Sequence, residues 1–229
     1  MADDQRSRSA GLGGTQLLAG LPDPARSEVE AAARRRTFSD GELVVRQGEP
    51  ASSLFVVEAG RVMARLVSAA GDEVTLSVSG PGDVVGELGV VLEGQVRTAS
   101  VRAVGDVVVR ELRREDLDRL RARFPAVSDL LLKVLAHRVD TLSRRLLEAH
   151  RVPVEKRVAR RLFEVGRLFA DGSAPVVVPL TQEDVASIAG TTRPTANQVL
   201  KALEADGVLR LARGRVELLD IRGLRERCR

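Results

Sequence analysis

Tryptophan and tyrosine are absent from the 229-residue chain, and only five phenylalanines are present. That scarcity argues against recognition of single strands or RNA on aromatic stacking platforms. The single cysteine, Cys228, excludes an intrachain disulfide and any cysteine-ligated zinc or iron–sulfur site. It reads as a free thiol in a frayed C-terminal tail, with nothing in its sequence surroundings to support a redox switch. The only histidines, His137 and His150, lie 13 positions apart on one predicted helix, too far for joint ligation or catalysis, and neither suits a haem pocket. No apolar run approaches the roughly 18 residues that span a bilayer, and the acidic, Gly-rich start lacks a signal peptide's apolar segment. The expectation is a soluble, cytoplasmic chain with no membrane partner. No Ser/His/Asp, Walker or paired-carboxylate arrangement is present, so an enzyme is not expected. Gly80, Gly82 and Gly86 have the wrong spacing for a dinucleotide fingerprint and lack a long following helix; they read as a hairpin turn.

What is present concentrates near the C-terminus. Thr181 precedes Gln182-Glu183-Asp184, a hydroxyl N-cap with an acid three residues on. Val185, Ile188 and Ala189 give a short helical stripe, and Gly190 permits a tight turn. Thr192 is a second N-cap, with Pro194 tolerated in the first turn. In the helix that follows, Ala196, Val199, Leu200 and Leu203 point inward. Arg193, Asn197 and Lys201 recur on the other face, with Pro194, Thr195 and Gln198 beside them. Two short β runs, 208–211 and 216–219, flank Arg213-Gly214-Arg215. A helix-turn-helix with a basic wing suits a DNA groove: Arg reads guanine, Asn or Gln reads adenine, Lys meets the backbone. A small helical subdomain with a solvated polar face would share the helices, but the wing argues against it. Charge agrees: from residue 151 onward 15 Lys/Arg face 10 Asp/Glu, against 21 and 22 before it, so the basic excess sits with the reader.

Upstream the texture differs. Residues 1–20 are polar and Gly-rich and are expected to be disordered. Residues 24–36 form a plausible short helix with Val29, Ala32 and Ala33 on one side. From 38 to 112 short apolar runs alternate with turn signals, among them Gly60, Gly71 and Gly105. Val74, Leu76 and Val78 share one side of a strand, as do Val62, Ala64 and Leu66. Many short strands at this spacing indicate an antiparallel roll or barrel. After Pro125 a long helix runs to about His150. Leu132, Leu135, Val139, Leu142, Leu146 and Ala149 recur at spacings of 3 and 4, the seam of a coiled coil, which predicts a homodimer. A second stripe of Val127, Leu130, Leu131 and Val134 is placed to pack on the roll. Val152-Pro153 ends the helix and marks a hinge.

Between strands lies Gly86-Glu87-Leu88-Gly89, followed by Arg97-Thr98-Ala99. Gly86 allows a turn into a short helix whose N–H groups suit an anion. Arg97 supplies a forked permanent charge for a phosphate, Thr98 a donor, and Glu87 an acceptor for a sugar hydroxyl.

In these segments the chain resembles the Crp–Fnr superfamily of transcription regulators, over nearly all of residues 22–219. Its phosphate cassette in the cyclic-AMP branch is similar to Gly-Glu-Leu-Gly, a spacer, then Arg-Ser/Thr-Ala. The resemblance implies an α+β chain: a tail over 1–20, a cyclic-nucleotide-binding β-roll over 21–124, a dimerisation helix and hinge over 125–152, and a winged helix-turn-helix over 153–229. It implies a cyclic nucleotide effector, cyclic AMP foremost and cyclic GMP as the other candidate, held by Gly86, Glu87, Leu88, Gly89, Arg97, Thr98 and Ala99, with Glu87 on the ribose 2′-hydroxyl. It implies a homodimer on a palindromic duplex and RNA polymerase as a partner. The implied DNA contacts are Gln182, Thr192, Arg193, Pro194, Thr195, Asn197, Gln198, Lys201, Arg213 and Arg215. Two positions depart from the family. Leu142 and Ser143 fall where cyclic-AMP-responsive members carry adjacent polar residues that reach the adenine; Leu142 cannot hydrogen-bond a purine, which leaves Ser143, with Thr141 one residue away. Pro194 stands where many members have a glutamate that reads cytosine, so the preferred DNA sequence is expected to differ. The alternative is a regulator of the same fold that needs no ligand or senses another effector. A cyclic-nucleotide-gated enzyme subunit is disfavoured, because the chain leaves no room for a catalytic domain.

Overall fold

A computed structural model describes residues 18–69, 71, 73–92, 94 and 96–228. The expected disordered tail lies outside the described residues up to 17. Its last three positions, Leu18–Gly20, form a 3-10 turn, and Leu18 is buried in the core. The chain divides into two compact units, one running to residue 63 and resuming over 79–137, the other made of 64–78 and 138–229.

In the first unit, α1 (Asp23–Ala32) is shorter than the sequence suggests. Its expected last turn is a strand instead: β1 (Arg34–Phe38) pairs with Val107–Glu111 of β6 (Ser100–Arg113). The arginines at 34–36 and Thr37 stay exposed on that strand, and only Phe38 at its end is buried. β2 (Leu43–Val45) also pairs with β6. β3 (Ser53–Val67), β4 (Glu73–Ser79) and β5 (Val84–Val85) complete a six-stranded sheet ordered β1-β6-β3-β4, with β5 against β3. The expected series of short strands is corrected here, since β3 and β6 have 15 and 14 residues. Gly60 and Gly105 do not end strands; each takes a positive φ inside one. At Gly60 a Cβ would lie 2.2 Å from the Asp106 carbonyl oxygen, so glycine is required by the close approach of two backbones.

Between β5 and β6 lies α2 (Glu87–Val91), and α3 (Arg114–Arg123) and α4 (Pro125–Arg151) follow β6. The core gathers Leu21 and Val29 near α1, Leu54 and Val56 of β3, Leu117 of α3 and Val127 of α4. Val127 and Leu131 are buried, with Leu130 and Val134 packed beside them, so the second stripe of α4 covers this core. The stripe expected to form a coiled-coil seam is open: Leu132, Val139, Leu142 and Leu146 are 58–64 % exposed.

In the second unit, α5 (Val154–Phe169) follows the break at Pro153. β7 (Val176–Val178), α6 (Gln182–Ala189), α7 (Arg193–Ala205), β8 (Leu209–Ala212), β9 (Arg215–Leu218) and α8 (Ile221–Glu226) complete it. β8 and β9 form the wing hairpin, paired Ala212 to Arg215 across Arg213-Gly214, one position off the expected runs. β7 adds a third strand against β9, which the sequence reading did not anticipate. Gly166 lets α5 close on the wing sheet: a Cβ there would lie 2.4 Å from Leu218 Cδ1. The residues 64–78 contribute Arg65 and Thr75 to this unit. Thr75 is buried, whereas Val74 and Leu76 are exposed, so β4 presents the opposite side to the one its apolar alternation suggests. Polar bonding decides it: the Thr75 hydroxyl donates to Asp184 Oδ1 at 2.8 Å, beside Arg65 Nη2 at 2.6 Å. The tail thiol is also corrected. Cys228 is half-buried, its Sγ donates to the Leu224 carbonyl, and its own carbonyl accepts from Arg160. Burial pushes the thiol pKa up, with Arg160 pulling it down and Glu164 adding to the rise.

Among the described residues no helix is long and apolar enough to cross a membrane, and no His/Cys/Asp/Glu group could hold a metal ion.

Candidate functional site

The cassette is built on two glycines that cannot carry a side chain. Gly86 caps α2 at φ +80, a left-handed conformation that costs other residues about 1–2 kcal/mol. A Cβ there would also lie 2.6 Å from Arg97 Nη1. At Gly89 a Cβ would lie 2.1 Å from the Ala51 Cβ, so the helix is held against the β2–β3 connection by direct backbone packing. Glu87, between them, is buried at 2 % exposure. Leu88 is largely exposed, Thr98 is exposed and Ala99 is half-buried.

Arg97 is the electrostatic centre. It is 6 % exposed, and its guanidinium sits 5.6 Å from the Phe55 ring centroid. Nη1 donates to the Ser53 carbonyl at 2.6 Å and to the Gly86 carbonyl at 3.3 Å, while Nη2 donates to Ser53 Oγ at 3.1 Å. Burial lowers the Arg97 pKa from its ordinary value, and Glu111 and Glu49 oppose that shift. An arginine remains charged under such pressure, so the site holds a fixed, buried cation. Its backbone is pinned as well: the Arg97 N–H donates to the Glu49 carbonyl at 2.8 Å, and its carbonyl accepts from Gly48 at 2.9 Å.

Two contributors were missed in the sequence. Ser53 opens β3 without any motif around it. Arg114, at the start of α3, donates through Nη2 to the carbonyls of Gly89, Leu92 (3.0 Å) and Ala51 (3.4 Å). It thereby satisfies the carbonyl end of α2, where a cation is electrostatically favoured. Neither residue carries a local signal, because each acts on chain far away in sequence. Leu142 and Ser143 both lie exposed on α4, within the second unit.

The side chains expected to contact DNA divide by environment. Thr181 caps α6: its Oγ1 accepts from the Asp184 N–H at 3.1 Å, and Asp184 Oδ2 accepts from the Thr181 N–H at 2.8 Å. Thr192 caps α7 and shares a hydroxyl–hydroxyl bond of 2.9 Å with Thr195, so Thr195 is half-buried and engaged at the cap. Arg193, Pro194, Gln198 and Lys201 are exposed on α7, and Arg193 lies 3.8 Å from Glu183. Gln182 is half-buried. Asn197 is half-buried as well, with its Oδ1 occluded and unbonded among the described residues, which sets it apart from the fully open face expected for it. On the wing Arg213 is exposed, while Arg215 Nε donates to the buried Glu217 at 2.9 Å. Glu217 also lies 3.4 Å from Arg210. One acid therefore neutralises part of the wing's charge, which reading the tip alone did not register.

Comparison with known proteins agrees with both halves. A cyclic nucleotide-binding domain matches residues 35–124, and a Crp-like helix-turn-helix domain matches residues 156–227. A cyclic AMP receptor protein of Thermus thermophilus is 34 % identical over 216 residues, 93 % of this chain and 96 % of that protein. A CRP-like cAMP-activated global transcriptional regulator of Mycobacterium tuberculosis is 31 % identical, covering 84 % of this chain and 87 % of its own length. A solved CRP/FNR-family transcriptional regulator, also from Thermus thermophilus, matches with a TM-score of 0.71 at 25 % identity, over 85 % of this chain and 98 % of that one. Members of this family are DNA-binding regulators rather than enzymes. With a cyclic nucleotide-binding domain and a Crp-like helix-turn-helix domain both matched, the chain belongs to the Crp/Fnr family of transcription regulators.

Proposed function

We propose that the protein is a homodimer that binds a palindromic DNA site in a manner controlled by cyclic AMP held in the β-roll. The observation that carries this is Arg97, a buried cation at 6 % exposure set beside Gly86 and Gly89. At both glycines a Cβ would collide with atoms already in place, Arg97 Nη1 at Gly86 and the Ala51 Cβ at Gly89, so only glycine lets Arg97 and α2 pack this closely. Such a cradle suits a small dianion or phosphodiester better than a protein partner. Arg97 would neutralise the cyclic phosphate, Thr98 would donate to it, and the Glu87 carboxylate would accept from the ribose 2′-hydroxyl. The bound nucleotide would supply a phosphate for the Arg97 cation and a sugar hydroxyl for the Glu87 carboxylate. The open seam of α4 supports pairing with a second copy, since an apolar heptad stripe in water is unfavourable alone. In a dimer two α7 helices, each led by Arg193, would address half-sites about 34 Å apart. Effector binding would shift the population of arrangements about residues 151–153. RNA polymerase is the expected protein partner of the DNA-bound form.

Calorimetric titration of the purified protein with cyclic AMP and cyclic GMP tests the effector. The expected result is saturable binding of cyclic AMP that Arg97→Ala abolishes; full affinity in that variant overturns the site. A second reading, a regulator indifferent to cyclic nucleotides, is favoured by one feature: Leu142, 58 % exposed, offers no group to a purine. In that case DNA affinity is unchanged by either nucleotide.

A further inference from the structure

The geometry points to Ser53 as a positioning residue that turns Arg97 so that one edge of its guanidinium is reserved for a bidentate phosphate contact. This rests on the effector reading above and deepens it. A guanidinium has five N–H donors arranged on a planar fork. Three are accounted for: Nη1 donates to the carbonyls of Ser53 and Gly86, and Nη2 donates to Ser53 Oγ. The end of the fork is thus clamped by the carbonyl and hydroxyl of a single residue. Nε–H and the second Nη2 hydrogen carry no hydrogen bond among the described residues, and they lie on the same side edge. Two parallel donors on that edge match two oxygens of a phosphate, the geometry in which arginine exceeds lysine.

Three further features hold the clamp. Ser53 is 3 % exposed, so water cannot readily replace its hydroxyl. Phe55, two residues along the same strand, offers its ring to the cation at 5.6 Å. Gly86 contributes its carbonyl and the space for Nη1. Serine supplies both an acceptor on the side chain and one on the backbone at a single point of β3, so the sheet itself sets the angle of the fork. The three bonds restrain rotation before any ligand arrives, which lowers the entropy lost on binding.

The test combines a measurement without ligand and one with it. In the full-length protein, side-chain nitrogen NMR of Arg97 should show restrained rotation about Nε–Cζ; Ser53→Ala should release it, and Ser53→Thr should restore it. Cyclic AMP titrations should show about a ten-fold weaker affinity for Ser53→Ala, the scale of one hydrogen bond to a charged group, with recovery in Ser53→Thr. Arg97→Lys, which keeps the charge and loses the fork, should bind more weakly than Ser53→Ala. Discrimination between the two phosphorothioate diastereomers of cyclic AMP should narrow in Ser53→Ala, a change that general loosening would not produce. Thermal unfolding of each variant reports whether the fold is intact. Free rotation of Arg97 in the unmodified protein overturns the positioning role whatever the ligand. Equal cyclic AMP affinity in Ser53→Ala and the unmodified protein overturns this inference alone. Absence of cyclic nucleotide binding in the unmodified protein overturns it together with the effector reading.

Discussion

Substituting Gly86 by alanine separates backbone strain from damage to the proposed phosphate site, because the structure provides a matched control. Gly86 and Gly41 have nearly the same left-handed backbone, φ +80 and φ +77. Alanine at either position therefore costs about 1–2 kcal/mol of strain. The surroundings differ. At Gly41 an added Cβ meets nothing within 4 Å, whereas at Gly86 it lies 2.6 Å from Arg97 Nη1 and 3.4 Å from the Ser53 carbonyl. The guanidinium is the far end of a flexible side chain, so it gives way rather than the backbone. In retreating it loses contacts to Ser53 and Gly86, each on the scale of about 1.5–3 kcal/mol for a charged bond. Gly41→Ala should lose about 1–2 kcal/mol of unfolding free energy and retain its cyclic AMP affinity. Gly86→Ala should lose more, about 4 kcal/mol or above, and bind cyclic AMP at least ten-fold more weakly. Denaturant unfolding and calorimetry on both variants decide it. Equal nucleotide affinity in the two variants refutes the reasoning, because the steric path from Gly86 to Arg97 would then be without consequence.

Three other perturbations probe separate parts of the molecule. Leu146→Ala removes one seam residue that is 63 % exposed in the single chain. Because each copy loses one, the dimer should weaken by about 2–4 kcal/mol, read as a shift toward monomer in sedimentation equilibrium; an unchanged association constant contradicts the seam. Asp184→Asn leaves the shape but removes the charge that faces Arg65 Nη2 at 2.6 Å and the Thr75 hydroxyl at 2.8 Å. With Asp184 at 4 % exposure, the loss should be about 2 kcal/mol in denaturant unfolding, and a neutral result would place the carboxylate's stabilisation elsewhere. The raised pKa of Cys228 means that the folded chain holds the thiol proton more tightly than the unfolded chain does. Its stabilising contribution is therefore full below the ordinary thiol pKa and declines as pH rises through the folded value. Alkylation by iodoacetamide at about pH 8, near the ordinary thiol pKa, should be slower in the folded protein than in denaturant. Equal rates would mean that the thiol is not shielded.

Features that depend on neighbouring residues were legible in the sequence. The caps of α6 and α7 are bonds between residues three apart, Thr181 with Asp184 and Thr192 with Thr195, so residue identity and spacing were enough. The buried second stripe of α4 followed from periodicity alone, and Gly86 followed from the turn into α2. Long-range partners were not legible. Ser53 reaches Arg97 across 44 residues and Thr75 reaches Asp184 across 109, and nothing local to Ser53 or Thr75 announces it. The same limit explains β4, where a buried hydroxyl with a distant acceptor reverses the side that apolar alternation suggests. Gly60 and Gly105 mark positive φ correctly but do not say whether the strand continues beyond them. That depends on the partner strand, and here both continue. The helix expected over 24–36 failed at its end for a similar reason, since pairing with β6 outweighed the local helix preference of three arginines.

The central claim is that a nucleotide seated at Arg97 governs DNA binding by the winged helix-turn-helix. Fluorescence anisotropy with a duplex selected from random sequence, in the presence and absence of cyclic AMP, tests it directly. The account predicts tighter, sequence-selective binding by the dimer when cyclic AMP is present, and no such gain for Arg97→Ala. Identical duplex affinity with and without the nucleotide in the unmodified protein would contradict it.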